Sequence, residues 1–274
     1  KDDNNQEEQT KNPEKKEEKD KIKSIAPAKV STSKTLSQHF PLFPHIEKHL
    51  WKQLLEEEKK LLSPEINSSE QQKIEQQIES IAQTLHRLHP FYSDAEQITL
   101  GGISYQKATG EIFIPAVVEV PNAGKKDHPD ELELILCSHK GRIPQTLFVT
   151  ETRPLHLELL LHLTGSKKLP KASSFHLSID LPNKKGIPVT SLLKSTDKSP
   201  LPDQLTWQFS GSSFADLYSP DQTGDFIICW HAHDSVLQVI DEKIASGETK
   251  LKAVPHPLLE QGTAVKIVLT PIQK

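Results

Sequence analysis

Residues 131–165 read ELELILCSHKGRIPQTLFVTETRPLHLELLLHLTG and form the most strongly patterned part of the sequence. The first residues alternate leucine with other side chains at the period of a β-strand. A Lys-Gly-Arg turn at 140–142 follows, and residues 145–150 predict a second strand. Pro154 suits the first turn of a helix, Thr152 is a candidate cap, and leucines recur there at helical spacing. The stretch predicts a strand–turn–strand–helix unit that packs against a core.

The sequence before residue 96 predicts two further parts. Residues 1–34 mix Lys, Glu and Asp with few apolar side chains, which predicts a disordered charged tail. Residues 35–95 hold two amphipathic segments, and the second carries Ile74, Ile78, Ile81, Leu85 and Leu88 at coiled-coil spacing. This pattern predicts a helical hairpin that packs on itself, on the main domain or on an unknown protein partner.

Residues 96–274 carry short alternating segments between turns that contain Gly and Pro. Strands are predicted at 111–120, 174–181, 205–210, 225–233 and 265–269. Within the first of them, Pro115 indicates an edge or a bulge, and Asp234 is a candidate cap of a short helix through Ile240. Many strands and few helices predict an α+β fold: a mixed, mostly antiparallel sheet packed with one or two helices and preceded by the hairpin.

Composition narrows the class of protein. The net charge of −4 over 274 residues gives no basic field, so nucleic acid is not an expected partner. No apolar run reaches the length of a membrane span, so no transmembrane segment is expected. The sequence has no methionine, even at position 1, which fits removal of an export signal or a trimmed sequence. Export is therefore expected.

Six segments have the order and spacing of a known family. They are FIPAVVEV at 113–120, LELILCSHKGR at 132–142, TLFVTETRPLHLELLLHLTG at 146–165, WQFSGSSF at 207–214, YSPDQTGDFI at 218–227 and GTAVKIVLTP at 262–271. Residues 102–271 thereby resemble the YdjY-like domain family of bacterial envelope proteins. The resemblance implies an exported domain of the periplasm or cell envelope and no established activity. Pro144 and Gln145 replace the His-Glu pair of the family pattern, and neither ligates a metal well nor exchanges a proton.

Two predicted strands carry the residues most suited to chemistry. Cys137 and His139 alternate in one strand, and Cys229, His231 and His233 alternate in another. Alternation places each set on one face of its strand. If the strands were neighbours in matching register, the thiolates and imidazoles would converge on zinc or copper. The alternatives are a disulfide between the two cysteines, or two buried and inert thiols.

The predicted hairpin holds a second metal candidate. His45 and His49 are four residues apart, and His86 and His89 are three apart, so each pair can share a helical face. In an antiparallel hairpin the two pairs fall near each other. Histidines that are merely solvated near helix ends are the alternative.

Other candidate sites are few. Arg142 and Arg153 are candidates for anion binding, with a surface ion pair as the alternative. Ser212 and Ser213 follow a glycine but lack the nucleophile elbow of hydrolases. The sequence contains no phosphate-cradling glycine loop and no dinucleotide fingerprint.

These patterns predict a non-enzymatic binding or structural module of an exported protein. The alternative is a metal-binding or thiol-redox protein that uses the cysteine and histidine set above. No cofactor is predicted apart from zinc or copper at those residues. An enzyme such as a hydrolase would need a base near Ser212 or Ser213.

Overall fold

The structure is a computed structural model. It describes residues 47–119, 131–165, 174–211, 218–230, 235–254, 256–257 and 260–272. All of these belong to one compact unit. The predicted disordered tail at 1–34 lies outside the described residues.

Two helices joined by a short connection come first, α1 (Lys48–Leu61) and α2 (Ser68–Leu88). The side chain of Asn67 caps α2 by accepting the backbone N–H of Glu70 at 3.0 Å. The apolar faces of the two helices are buried, and Trp51, Leu54 and Leu85 belong to the main hydrophobic core. The hairpin therefore covers part of that core.

Fourteen strands follow within the described residues. They are β1 (Phe91–Ser93), β2 (Gln97–Leu100), β3 (Ile103–Gln106), β4 (Ile112–Val118), β5 (Leu134–Ser138), β6 (Thr146–Thr150), β7 (Ser174–Leu181), β8 (Lys184–Pro188), β9 (Leu193–Ser195), β10 (Thr206–Phe209), β11 (Asp225–Ile228), β12 (Leu237–Val239), β13 (Leu251–Ala253) and β14 (Ala264–Pro271). Three more helices are α3 (Pro154–Gly165), α4 (Ser219–Thr223) and α5 (Glu242–Ala245). Short 3₁₀ turns occupy Ile143–Gln145 and Val189–Leu192.

Eight of the strands close into a barrel, in the order β4, β14, β7, β10, β12, β11, β5 and β6, with β6 pairing back to β4. The pairs β5–β6 and β11–β12 are parallel, and the other pairs of the ring are antiparallel. Strands β1 to β3 extend from β4, and β8 pairs with β7. Strands β9 and β13 form a separate two-stranded sheet.

The prediction of an α+β fold, with a mixed, mostly antiparallel sheet packed with one or two helices and preceded by a hairpin, is wrong. The fold is a closed mixed barrel with four extra strands in its sheet, and the described residues contain five helices. Alternating apolar residues show that a strand faces a core, but they do not show whether the first and last strands pair. Closure depends on two register pairs, Val117 with Val149 and Val118 with Phe148.

Strand β4 changes its neighbour on one side at Pro115. Its first residues pair with β3, through Ser104 and Phe113, and its last residues pair with β6. Between the two partners the carbonyl of Pro115 accepts a hydrogen bond from the Thr150 hydroxyl at 2.6 Å. A strand residue directs its N–H and C=O toward the same neighbour, so the N–H that proline lacks would face this gap. Proline therefore leaves no unsatisfied donor there.

Helix α3 is buried on every side from Pro154 to Leu161. Its N-terminus is capped from a distant part of the chain, because Asp221 Oδ1 accepts the N–H of Leu155 at 3.0 Å. The other oxygen of Asp221 accepts from Arg153 Nε at 2.8 Å. The predicted cap, Thr152, instead bonds to the hydroxyl of Thr150 at 3.0 Å. Asp221 thus fixes α3 to α4.

The predicted helix through Ile240 is also wrong over the described residues. Leu237–Val239 forms β12, which pairs with β10 and lies parallel to β11. Asp234 lies outside the described residues. Pairing on both sides outweighs the local capping signal, because a strand inside the barrel satisfies its backbone through its neighbours.

No helix among the described residues has both the length and the apolar character needed to cross a membrane.

The hairpin should contribute to the stability of the barrel through Leu54. This side chain is fully buried in the main core, whereas Leu55 beside it is 54% exposed. We expect Leu54→Ala to lower the free energy of unfolding by about 2–5 kcal/mol, because it opens a cavity in that core. Urea unfolding followed by near-ultraviolet circular dichroism measures the loss.

The neighbouring substitution Leu55→Ala is the matched control and should change the free energy by less than about 0.5 kcal/mol. Equal effects of the two substitutions would show that the hairpin does not pack on the barrel.

Candidate functional site

A groove of about 880 Å³ lies on the outer face of the barrel, beside the point where the neighbour of β4 changes from β3 to β6. The buried side chains of β4 point into the main core, so the alternate side chains Phe113, Pro115 and Val117 point outward and form its floor. Val149 of β6 lines the groove beside them. Val117 is 39% exposed, a large fraction for an apolar side chain in a strand. The groove therefore has an apolar floor open to solvent.

One wall of the groove presents side-chain amides. Gln106 Nε2 donates to Gln97 Oε1 at 3.2 Å across the β2–β3 pair. Within the described residues, the nitrogen of Gln97 and the oxygen of Gln106 have no further hydrogen-bond partner. The pair therefore leaves one donor group and one acceptor free for a ligand.

The remaining walls are charged. On one side are Asp180 of β7, Lys266 of β14 and Lys185 in β8. On the other side His139 Nε2 lies 2.6 Å from Glu151 Oε1, and the two side chains are 56% and 87% exposed. Because both side chains are exposed, both groups are accessible to a ligand. An exposed pair of this kind also contributes little to the stability of the fold.

A second pocket of about 550 Å³ is lined wholly by residues between 188 and 203. Ser195 lines it, and its hydroxyl bonds the neighbouring carboxylate of Asp197, which lowers the pKa of Asp197 to about 2. This pocket is formed by one continuous segment of the chain, which includes β9 and a 3₁₀ turn. The groove, in contrast, is assembled from several strands, and we take it as the candidate site.

The two cysteines do not form the predicted disulfide, since both are free thiols. Cys137 lies in β5, and Cys229 directly follows β11. The two strands are neighbours, but their antiparallel pairing sets Cys137 opposite Asp225, while the backbone N–H of Cys229 donates to the Glu133 carbonyl. Four residues of strand separate the two positions by about 13 Å. Cys137 also lies in a small cluster with Val149, apart from the main core that holds Cys229.

The predicted zinc or copper site therefore does not assemble around both thiols. A shared ion would require sulfur atoms within about 4 Å of each other. Among the described residues no group of three or more ligating side chains is suited to a metal ion. His231 and His233 lie outside the described residues, and His139 is bonded to Glu151.

Burial also makes the thiols poor nucleophiles. It raises the pKa of Cys137 to about 11, and the negative charge of Asp225 adds to the effect. Burial raises the pKa of Cys229 to about 12. Since the thiolate is the reactive form, both groups are inert near neutral pH.

The hairpin histidines do not form the second predicted metal site within the described residues. His49 and His86 are exposed, and His45 lies outside the described residues. His89 instead points inward, where Nε2 lies 3.1 Å from Glu47 Oε1 and Nδ1 lies 3.2 Å from His156 Nε2. Because His89 is buried whereas His49 and His86 are exposed, these three side chains do not face a common site.

This chain of three side chains connects the hairpin to α3. If Glu47 accepts from His89 Nε2, a neutral His89 can accept at Nδ1 from His156, which fixes the direction of both bonds. Gly101 is required beneath the ring, since a Cβ there would lie 1.8 Å from His156 Nδ1. Burial lowers the pKa of His156 to about 3, and the positive charge of Arg153 contributes.

Both predicted anion-binding arginines are occupied by carboxylates. Arg142 pairs with Glu133 and lies 3.5 Å from Asp225, with its guanidinium 4.6 Å from the centre of the Trp230 ring. Arg153 pairs with the buried Asp221. Both arginines therefore form the ion pairs of the alternative, and anion binding by either one stays a prediction.

Of the groove residues, the sequence patterns single out only His139 as a candidate ligand. The floor residues alternate like those of any half-buried strand, and the glutamines and lysines are common surface types. Pro115 is the one other local signal among them, since a proline inside a strand marks a position without a backbone partner. Ser212 and Ser213 lie outside the described residues.

Comparison of the chain with models of known protein families, with curated proteins and with solved structures found no match in any of the three. The resemblance to the YdjY-like family therefore stays a prediction.

The neutral state of His156 should make the protein less stable in acid. The unfolded chain binds a proton on this imidazole near pH 6.5, whereas the folded protein does so only near pH 3. Between these values the unfolded state holds more protons, so stability should fall as the pH drops, by up to about 1.4 kcal/mol per pH unit. Urea unfolding at pH 7, 6 and 5 measures the slope.

In the variant His156→Gln the slope should be reduced by the same amount. The variant His86→Gln, on the exposed face of α2, controls for the loss of an imidazole. Equal slopes for wild type and His156→Gln would contradict the buried, neutral state of His156.

Proposed function

We propose that the protein is a non-enzymatic binding module of the cell envelope and that the groove beside Pro115 is its binding site. The observation that carries the proposal is an apolar floor, open to solvent, between walls of side chains with unused hydrogen-bonding and charged groups. Such a combination is typical of ligand sites, where apolar contact gives affinity and a few polar groups give orientation.

The predicted place in the periplasm or envelope is part of the proposal. Its support is the resemblance of residues 102–271 to a family of envelope proteins. The predicted protein partner of the hairpin also stays a prediction. Trp51 and Leu54 of that hairpin pack on the barrel, while Leu55 and Leu62 are exposed.

The alternative of a thiol-redox or metal-binding protein has less support. The thiols of Cys137 and Cys229 are buried, far apart and protonated at neutral pH. The groove, in contrast, contains His139 and Glu151 in an exposed and accessible position. Neither cysteine lines the groove.

A fragment screen by methyl-detected NMR tests the proposal. The probes are small aromatic and aliphatic amides and carboxylates, each at millimolar concentration, and valine methyl groups are labelled. We expect the fragments that bind to shift the signals of Val117 and Val149 in the groove. Signals of Val189 and Val239, which are buried outside the groove, should not move.

Two substitutions at similarly exposed apolar side chains sharpen the test. Val117→Asp places a charge on the groove floor and should weaken fragment binding at least tenfold, because it removes apolar contact. Ile240→Asp is the matched control, since Ile240 is 41% exposed and lies outside the groove. A screen with no shifts in the groove, or equal binding by both variants, would overturn the proposal.

A further inference from the structure

Four residues that line the groove lie in one row, three of them in neighbouring strands and Glu151 just beyond the end of β6. Lys266 of β14 is in register with Asp180 of β7 on one side and with Pro115 of β4 on the other. Val117 is in register with Val149, and extending the same antiparallel register by two residues, past the end of β6, sets Glu151 opposite Pro115. The order across the row is therefore Asp180, Lys266, Pro115 and Glu151.

The distance between Lys266 and Glu151 in this row sets the distance between the two charged groups of a matching ligand. Neighbouring strands lie about 4.8 Å apart, so Lys266 and Glu151 are separated by two steps, or about 10 Å. Pro115 lies between them on the floor of the groove. A ligand that contacts both charges therefore carries an acidic and a basic group about 10 Å apart, with an apolar part between them.

The charge at each end is available. Within the described residues, Lys266 and Lys185 have no ion-pair partner, and Asp180 accepts the N–H of Gly186 at 2.8 Å. At the other end the side chain of Glu151 is 87% exposed, with His139 as its partner. One end of the groove therefore holds two lysines beside one carboxylate, a net positive charge, and the other end can accept a cation.

The amide wall indicates what joins the two charges. Gln97 and Gln106 present one free donor group and one free acceptor beside the apolar floor. A peptide group offers the matching acceptor and donor. The barrel backbone at the gap offers no free donor to a ligand, since Pro115 has no N–H, and the carbonyl of Pro115 already accepts from Thr150.

We propose that the groove binds an extended peptide segment in the polyproline II conformation, with an acidic residue and a basic residue three positions apart and apolar residues between them. In this conformation three residues complete one turn and advance about 9 Å, so the two charged side chains point to the same side at the required distance. In a β-strand, residues on one side are about 7 or 13 Å apart, which fits the row less well. The inference rests on the proposed function of the groove.

A spacing series tests the peptide. The probes are fluorescein-labelled octapeptides of proline and valine that carry one aspartate and one lysine, separated by two, three or four positions, in both orders. Fluorescence polarisation at low salt should give the tightest binding for the spacing of three, at least fivefold tighter than for either other spacing. Raising the salt to 0.5 M should weaken it, because exposed charges are screened. Equal affinity at all three spacings would overturn the inference.

A charge exchange in the protein tests the assignment of the two ends. We expect the double variant Lys266→Glu with Glu151→Lys to prefer the peptide with the order of charges opposite to that preferred by wild type. The double variant Lys243→Glu with Glu248→Lys makes the same exchange outside the groove and should keep the wild-type preference. An unchanged preference in the first variant would overturn the inference.

The outcomes separate the inference from the proposed function. If fragments shift Val117 and Val149 but no peptide binds, the groove is a binding site for another class of ligand and the peptide inference fails. If neither fragments nor peptides bind, both proposals fail.

Discussion

The exchange of neighbours along β4 is the constraint on which the rest of the structure depends. One edge of this strand pairs first with β3 and then with β6, and the second pairing closes the barrel. The same exchange separates β3 from β6 and leaves a gap at Pro115, where the missing N–H of proline and the Thr150 hydroxyl keep the backbone satisfied. Barrel closure and the groove are thus two results of one arrangement.

Buried polar contacts hold the surrounding elements in place. Asp221 caps the apolar helix α3 and pairs with Arg153, which ties two segments that are far apart in the sequence. Glu47, His89 and His156 connect the hairpin to the same helix. Each contact leaves a costly unpaired group if one partner is removed, so these contacts favour one arrangement over its competitors.

Local patterns predict the elements better than their assembly. The strand, turn, strand and helix between 131 and 165 follow from leucine spacing and Pro154, although both strands are buried on both faces and the helix on every side. Closure depends on the pairing of Val117 with Val149, which no local pattern contains. The distance between the two cysteines also depends on a pairing that no local pattern contains. Their strands are neighbours, but the antiparallel register separates them. Of the groove, only Pro115 and His139 carry a recognisable signal.

The hydrogen bond from the Glu119 N–H to the Leu147 carbonyl, 3.0 Å long, continues the β4–β6 pairing just beyond Val118. NMR scalar coupling across this bond, between the Glu119 amide nitrogen and the Leu147 carbonyl carbon, tests closure most directly. A measurable coupling together with slow exchange of the Glu119 amide is the predicted result. Absence of the coupling with fast exchange would mean an open sheet, and the groove between β3 and β6 would lose its physical basis.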